Sequence, residues 1–261
     1  MGHQRLGSIP RTRQWEQVIA LVESGGHVSS VAAASIRAVE QGLAHAWDDV
    51  GLRESLWRLA CLPLLAQDHI CPSGLSRALG IQLSNHRLMG LAAAYVEAVD
   101  CALSNNQGRT DLGELAQITG VETLFRALSP GVTSLFDSTP EALKEALAAL
   151  ATPVQFGKLA RRYFARLIYR ILDYFLSRVL SEKVGEDQRF RTLAEQGAFM
   201  DALDIHCDQA SIIVEQFCGE WWGKTLHEQG EIPKEEIPSL AHGAKEKLLK
   251  ELKEGAGTHD P

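Results

Sequence analysis

The segment DALDIHCDQA, residues 201–210, contains three aspartates, one histidine and one cysteine, which are side chains that bind metals or transfer protons. On a helix, metal ligands must be three or four positions apart, because only those residues share a face. The neighbours of His206 at these spacings are Ala202, Leu203, Gln209 and Ala210. None is a typical ligand, so the segment predicts neither a metal site nor a catalytic residue, and we expect no cofactor. A ligand supplied by another helix is the alternative.

An apolar seam runs through this segment in steps of three or four residues. It consists of Phe199, Leu203, His206, Ala210, Ile213, Phe217 and Trp221. The spacing predicts a helix over about 192–222 whose seam faces a core, with His206 as a hydrogen-bonded core histidine. Trp222 lies off the seam, so we expect it at the surface as the anchor of an interface.

Two rows of charged residues accompany the seam. The acidic row is Asp201, Asp204, Asp208 and Glu215, and the basic row on the preceding helix is Lys158, Arg162, Arg166 and Arg170, with Arg161 beside it. Residues four apart share one face of a helix. If the two helices fold back on each other, the rows neutralise each other as ion pairs. If the rows point apart, the basic row is a stripe of about 18 Å that suits phosphates or an acidic protein.

The link GEDQRFR between the two long helical segments is short, which favours an antiparallel hairpin. We place the centre of its turn near residue 188. The pairs expected at the same level are Lys158 with Glu215, Arg170 with Asp204 or Asp208, and Arg178 with Asp201.

Apolar residues recur every three or four positions along nearly the whole chain, and no convincing run alternates at every second residue. This periodicity predicts an all-α fold, a multi-helix bundle of about ten or eleven helices. Its C-terminal half is a long antiparallel helical hairpin with arms at about 154–184 and 192–222. We place a layer of short and medium helices at 1–130 and the hairpin region at 131–261. One continuous domain is the alternative.

Two segments resemble the helix-turn-helix of bacterial DNA-binding regulators and antitoxins. In DLGELAQITGVETLFRAL, residues 111–128, Ala116 precedes Gly120 by four positions and Val121 follows, as at the turn of that motif. LSRALGIQLSNHR, residues 75–87, has a similar step from glycine to an apolar residue. The resemblance implies DNA recognition by the helix after the turn. The stretch VETLFRAL departs from the pattern, because it offers few side chains that read bases.

Composition limits the class of protein. The chain has 261 residues and a formal net charge of −7, which excludes a uniformly basic coat for nucleic acid. We expect neither a secretory signal nor a membrane span, since no run approaches about 18 apolar residues without a charge. Five cysteines without a CxxC pair favour reduced thiols and a cytoplasmic location. Common enzyme motifs such as GxGxxG and HExxH are absent from the sequence.

These observations predict a non-enzymatic helical interaction or scaffold subunit of a larger bacterial protein assembly, which binds protein partners or itself. The first alternative is a nucleic-acid-associated protein that uses the basic row from Lys158 to Arg170 or one of the helix-turn-helix-like segments. The second alternative is an enzyme whose site is assembled from residues far apart in the sequence.

Overall fold

We describe a computed structural model of the chain, which covers residues 12–44, 46–67, 74–83, 87–104, 109–131 and 139–254. Within these ranges the chain folds into eleven α-helices and forms no strand, so the predicted all-α bundle is confirmed. None of the helices in this part of the chain is both long enough and apolar enough to cross a membrane.

The first six helices are α1 Arg13–Glu23, α2 Val28–Ala44, α3 Val50–Leu65, α4 Leu75–Leu79, α5 Leu88–Ser104 and α6 Asp111–Leu128. Side-chain caps tie the starts of α3 and α6 together. The Asp49 carboxylate accepts a 2.9 Å hydrogen bond from the Leu52 backbone N–H and a 2.7 Å hydrogen bond from the Thr110 hydroxyl. The Thr110 oxygen in turn accepts from the Gly113 N–H at 2.8 Å. These contacts satisfy donors that the first turn of a helix leaves unpaired.

The last five helices are α7 Pro140–Ala149, α8 Pro153–Leu180, α9 Leu193–Ala210, α10 Ile212–Gln229 and α11 Ile237–Glu254. Before each of α7, α8 and α9 stands a threonine whose hydroxyl accepts a hydrogen bond from a backbone N–H in the first turn. In α7 and α8 a proline follows this threonine, where its missing N–H costs no hydrogen bond. These caps fix where both arms of the hairpin begin.

The predicted hairpin is present, with α8 antiparallel to α9 and α10, but its second arm is not one helix. The arm breaks at Ser211, which is fully buried and whose hydroxyl donates a 2.7 Å hydrogen bond to the Asp208 carbonyl. A serine that bonds back to its own helix competes with the helical hydrogen bonds and bends the chain. The prediction of one continuous helix over 192–222 is therefore wrong at this residue.

The buried row of the second arm also differs from the predicted seam. The core-facing residues are Phe199, Leu203, Cys207 and Ala210 in α9, and Val214, Cys218 and Trp222 in α10. His206 and Trp221 are half-buried, and Ile213 is exposed. After Leu203 the next buried residue is Cys207, four positions on, whereas we predicted His206, three positions on. Both steps fit a helical period, so periodicity alone does not choose between the two adjacent stripes.

Glycines allow α8 and α10 to approach each other closely. A Cβ atom on Gly157 would lie 2.3 Å from the Glu215 carbonyl oxygen, and one on Gly219 would lie 2.5 Å from the Pro153 carbonyl oxygen. Both distances are far below van der Waals contact, so a side chain larger than hydrogen would push the helices apart. The two glycines therefore hold α10 against the start of α8.

The helix-turn-helix prediction is wrong for residues 111–128, because they form the single helix α6. Gly120 lies in the middle of this helix, where a Cβ atom would be 2.1 Å from the Tyr95 hydroxyl oxygen. That hydroxyl is buried and donates a 2.8 Å hydrogen bond to the Ser55 carbonyl. Gly120 therefore allows α5 to pack closely against α6, and it does not form a turn. In the other segment, α4 has only five residues, which is too short for the first helix of the motif.

One hydrophobic cluster contains side chains from both halves of the chain. Trp222 belongs to it: the residue is 1% exposed, and its indole N–H donates a 2.9 Å hydrogen bond to the Ala60 carbonyl in α3. Its ring stacks on Phe156 with 5.5 Å between centroids. The expectation that Trp222 anchors an interface is therefore wrong, because a partner cannot reach it. The domain boundary near residue 130 stays a prediction.

Candidate interaction surface

The acidic and basic rows meet along the hairpin. Arg161 forms ion pairs with Asp208 at 2.7 Å and with Glu215 at 3.4 Å, and Arg166 pairs with Asp204 at 3.2 Å. The rows therefore neutralise each other in part, as the first of the two interpretations predicted. The predicted partners were wrong, because Arg161 pairs with Glu215 in place of Lys158 and Arg166 pairs with Asp204 in place of Arg170. The two differences have opposite directions along α8, three residues towards its C-terminus and four towards its N-terminus, so a single displacement of the hairpin register does not explain them. In each case the carboxylate is reached by an arginine of the neighbouring turn.

Glu122 of α6 also binds the basic row, and no feature of the sequence predicted this contact. Its carboxylate accepts hydrogen bonds of 2.9 Å from both Arg166 and Arg170, and Arg126 lies 3.1 Å away. Glu122 lies far from α8 in the sequence and belongs to neither predicted row. Only the packing of α6 against α8 brings it to the arginines. Arg170 is thus neutralised from a third helix and not from the acidic row.

Burial and charge act in opposite directions on the ionisable groups of this cluster. Burial alone would raise the pKa of the Glu122 carboxyl, but the hydrogen bonds from Arg170 and Arg166 outweigh it and lower the pKa. Burial would likewise lower the pKa of Arg166, but Glu122 and Asp204 raise it. Both groups therefore remain charged at neutral pH, and the cluster is a set of ion pairs.

Lys158 and Arg162 differ from the rest of the row. Both side chains are exposed, and neither forms an ion pair with any residue in the described part of the chain. They lie four residues apart on α8, next to the neutralised cluster. The hairpin thus presents two unpaired positive charges on one face of a chain whose net charge is −7.

Two grooves follow the contact between the hairpin arms. The central groove, of ≈ 260 Å³, lies between α6, α8 and α9 and is lined by Arg126, Arg162, Asp204, Ile205 and Asp208, among others. The hairpin-end groove, of ≈ 610 Å³, lies between α8 and α10 and is lined by Val154, Arg161, Ile212, Gln216 and Glu220, among others. Because Asp208 of the first groove is paired with Arg161 of the second, the two grooves are adjacent.

A third groove, of ≈ 720 Å³, lies on the other side of α6. This α5–α6 groove is lined mostly by apolar side chains: Met89, Ala92, Ala93, Val96, Val121 and Phe125. Helix α6 forms a wall of both this groove and the central groove. We refer to the three grooves together as the groove surface.

Four large apolar side chains of the groove surface are exposed. Met89 is 48% exposed, Val154 62%, Ile205 60% and Ile212 57%. Each of these side chains lines one of the three grooves. Large apolar residues clustered at concave surfaces, with charged residues around them, are typical of binding sites for other molecules.

The side chains of the segment 201–210 lie in different surroundings, with Cys207 in the core and Asp204, Ile205 and Asp208 at the central groove. Among the residues that the structure describes, no group of three histidine, cysteine or acidic side chains is placed to hold a metal ion. Cys207 is fully buried, and burial raises the pKa of its thiol, which keeps it protonated and unreactive. His206 is half-buried. The segment contributes Asp204, Ile205 and Asp208 to the central groove.

Comparison of the chain with protein-family models, with curated proteins and with solved structures gave no match. A functional assignment therefore rests on the groove surface and on the charges around it.

Proposed function

We propose that this chain is a non-enzymatic interaction subunit that binds a partner protein through the groove surface. The observation that carries the proposal is the exposure of Met89, Val154, Ile205 and Ile212 at neighbouring grooves. Apolar side chains exposed singly are ordinary on a protein surface, but several of them at neighbouring grooves are typical of protein contacts. In a scaffold subunit of a larger assembly, the partner covers such side chains.

The distribution of charge favours a protein partner over nucleic acid. Nucleic-acid binding takes its affinity from several cations that contact phosphates. Here Arg161, Arg166 and Arg170 are already held by acidic residues of the chain itself. Among the described residues, Lys158 and Arg162 are the cations of the basic row without an ion pair. Two cations offer few phosphate contacts to a nucleic acid, but they are sufficient to orient a protein partner.

Affinity capture with matched variants tests the proposal. The immobilised chain is exposed to extract from the cells that naturally make it, as the wild type, as Ile205→Asp/Ile212→Asp and as Leu193→Asp. Leu193 is an exposed leucine at the start of α9, about 18 Å along the hairpin from Ile205. It is therefore a control for placing aspartate at any exposed apolar position.

We expect the wild type and the Leu193 control to retain the same partner, and the groove variant to lose it. All three proteins should melt at similar temperatures, because the substituted side chains are exposed. Retention of the partner by the groove variant, or no specific partner on the wild type, would contradict the proposal.

A further inference from the structure

We infer that the segment bound along the hairpin is an amphipathic α-helix of the partner with acidic residues on its flanks. This inference rests on the proposed function and specifies the occupant of two of the three grooves. It depends on the shape of the hairpin face and on its unpaired charges.

The shape of this face suits a helix. On α8, Val154, Lys158 and Arg162 are four residues apart and exposed, so they form one stripe. On the other wall, Ile205 and Ile212 project from α9 and α10. Val154 and Ile212 line the hairpin-end groove, Arg162 and Ile205 line the central groove, and Lys158 lies on the stripe between Val154 and Arg162. The two grooves together extend along α8 from Val154 to Arg166. That length is about 18 Å, equal to a partner helix of about 12 residues.

The charges of this face select an acidic partner. Arg161 and Arg166, which line the grooves, are paired with Glu122, Asp204, Asp208 and Glu215 and contribute no free charge. Lys158 and Arg162 remain exposed on the stripe of α8, and Arg162 also lines the central groove. Carboxylates on a docked helix would pair with these two cations, while its apolar side chains cover the isoleucines. Basic residues at the same positions would be repelled.

Two synthetic peptides test the inference directly by fluorescence anisotropy. Each has about 14 residues, an N-terminal fluorophore, a helix-stabilising lactam and the same leucine stripe at helical spacing. The acidic peptide carries glutamates beside the stripe, and the basic peptide carries lysines at the same positions. They are titrated with the full chain, with Lys158→Glu/Arg162→Glu and with Lys247→Glu/Lys250→Glu. The last variant makes the same change of charge on exposed residues of α11.

We expect the acidic peptide to bind the wild type and the α11 control about tenfold more tightly than the basic peptide. The preference should reverse in Lys158→Glu/Arg162→Glu. Failure of the acidic peptide to bind, equal binding of both peptides, or an equal effect of the α11 variant would overturn the inference. If the peptides fail but Ile205→Asp/Ile212→Asp still loses the captured partner, the proposed function stands and the acidic helix is excluded.

Discussion

Glu122 is the residue on which the charge cluster depends most. One carboxylate serves arginines from two helices, Arg126 on its own helix and Arg166 and Arg170 on α8. The side chain of Glu122 is 23% exposed, so water replaces its contacts only in part. Removing this charge leaves two half-buried guanidinium groups without their main acceptor, which costs more than loss of a surface ion pair.

We predict that Glu122→Gln lowers the free energy of unfolding by about 1–3 kcal/mol at pH 7. Glu97→Gln, which neutralises an exposed glutamate on α5, should change it by less than about 0.5 kcal/mol. Chemical denaturation of both variants and the wild type provides the comparison. Equal stability of the two variants would mean that the cluster does not hold α6 to the hairpin.

The same substitution has a predicted pH dependence. The folded protein holds the pKa of Glu122 below its ordinary value of 4.5. A carboxyl whose pKa is lowered on folding stabilises the protein fully above its unfolded pKa, and this stabilisation is lost as pH falls through the folded pKa. The stability difference between wild type and Glu122→Gln should therefore be constant above about pH 5 and should shrink as the pH falls below 4.5. A difference that grows in acid would contradict this account.

At the scale of elements, the hairpin depends on the close contact of α8 with α10. Gly157 and Gly219 each approach a backbone carbonyl of the facing helix. A carbonyl in a helix cannot relieve a clash by changing rotamer, as a side chain can. This contact also fixes the distance between the two walls of the hairpin-end groove. The packing of two glycines thus controls the shape of the surface that we propose as the binding site.

We predict that Gly157→Ala destabilises the chain by about 1–3 kcal/mol through overpacking. The matched control is Gly197→Ala in α9, where a Cβ atom would meet nothing within 4 Å. That change should stabilise the chain by about 0.5–1 kcal/mol, because alanine favours helix more than glycine does. Thermal unfolding of both variants gives the measurement. A Gly157→Ala variant as stable as Gly197→Ala would show that the helices have room to separate.

At the scale of the whole molecule, the sequence was sufficient for features that depend on local periodicity and on the length of a link. The all-α class follows from apolar spacing, and the hairpin follows from the short link between the two long helical segments. The pairing of Glu122 with α8 was not predictable, because it depends on how distant helices pack. The burial of Trp222 in place of Trp221 was missed because two adjacent stripes of one helix carry the same period.

The candidate surface was predicted less completely than the fold. The basic row lies on the face of α8 that carries the candidate surface, but which of its cations remain unpaired depended on the packing of α6 and of the second arm against α8. Ile205 and Ile212 lie outside the predicted seam, and the sequence did not identify them as members of one exposed surface.

The most direct test of the central claim is photo-cross-linking in the cells that naturally make the chain. A photoreactive phenylalanine analogue replaces Gln216, which lines the hairpin-end groove, or Leu193, which is exposed outside the grooves. We predict that the analogue at Gln216 gives one covalent adduct of defined mass and that the analogue at Leu193 gives none. An adduct of twice the chain mass would identify a second copy as the partner. No adduct at Gln216, or the same adduct at both positions, would contradict the claim that the groove surface binds a protein.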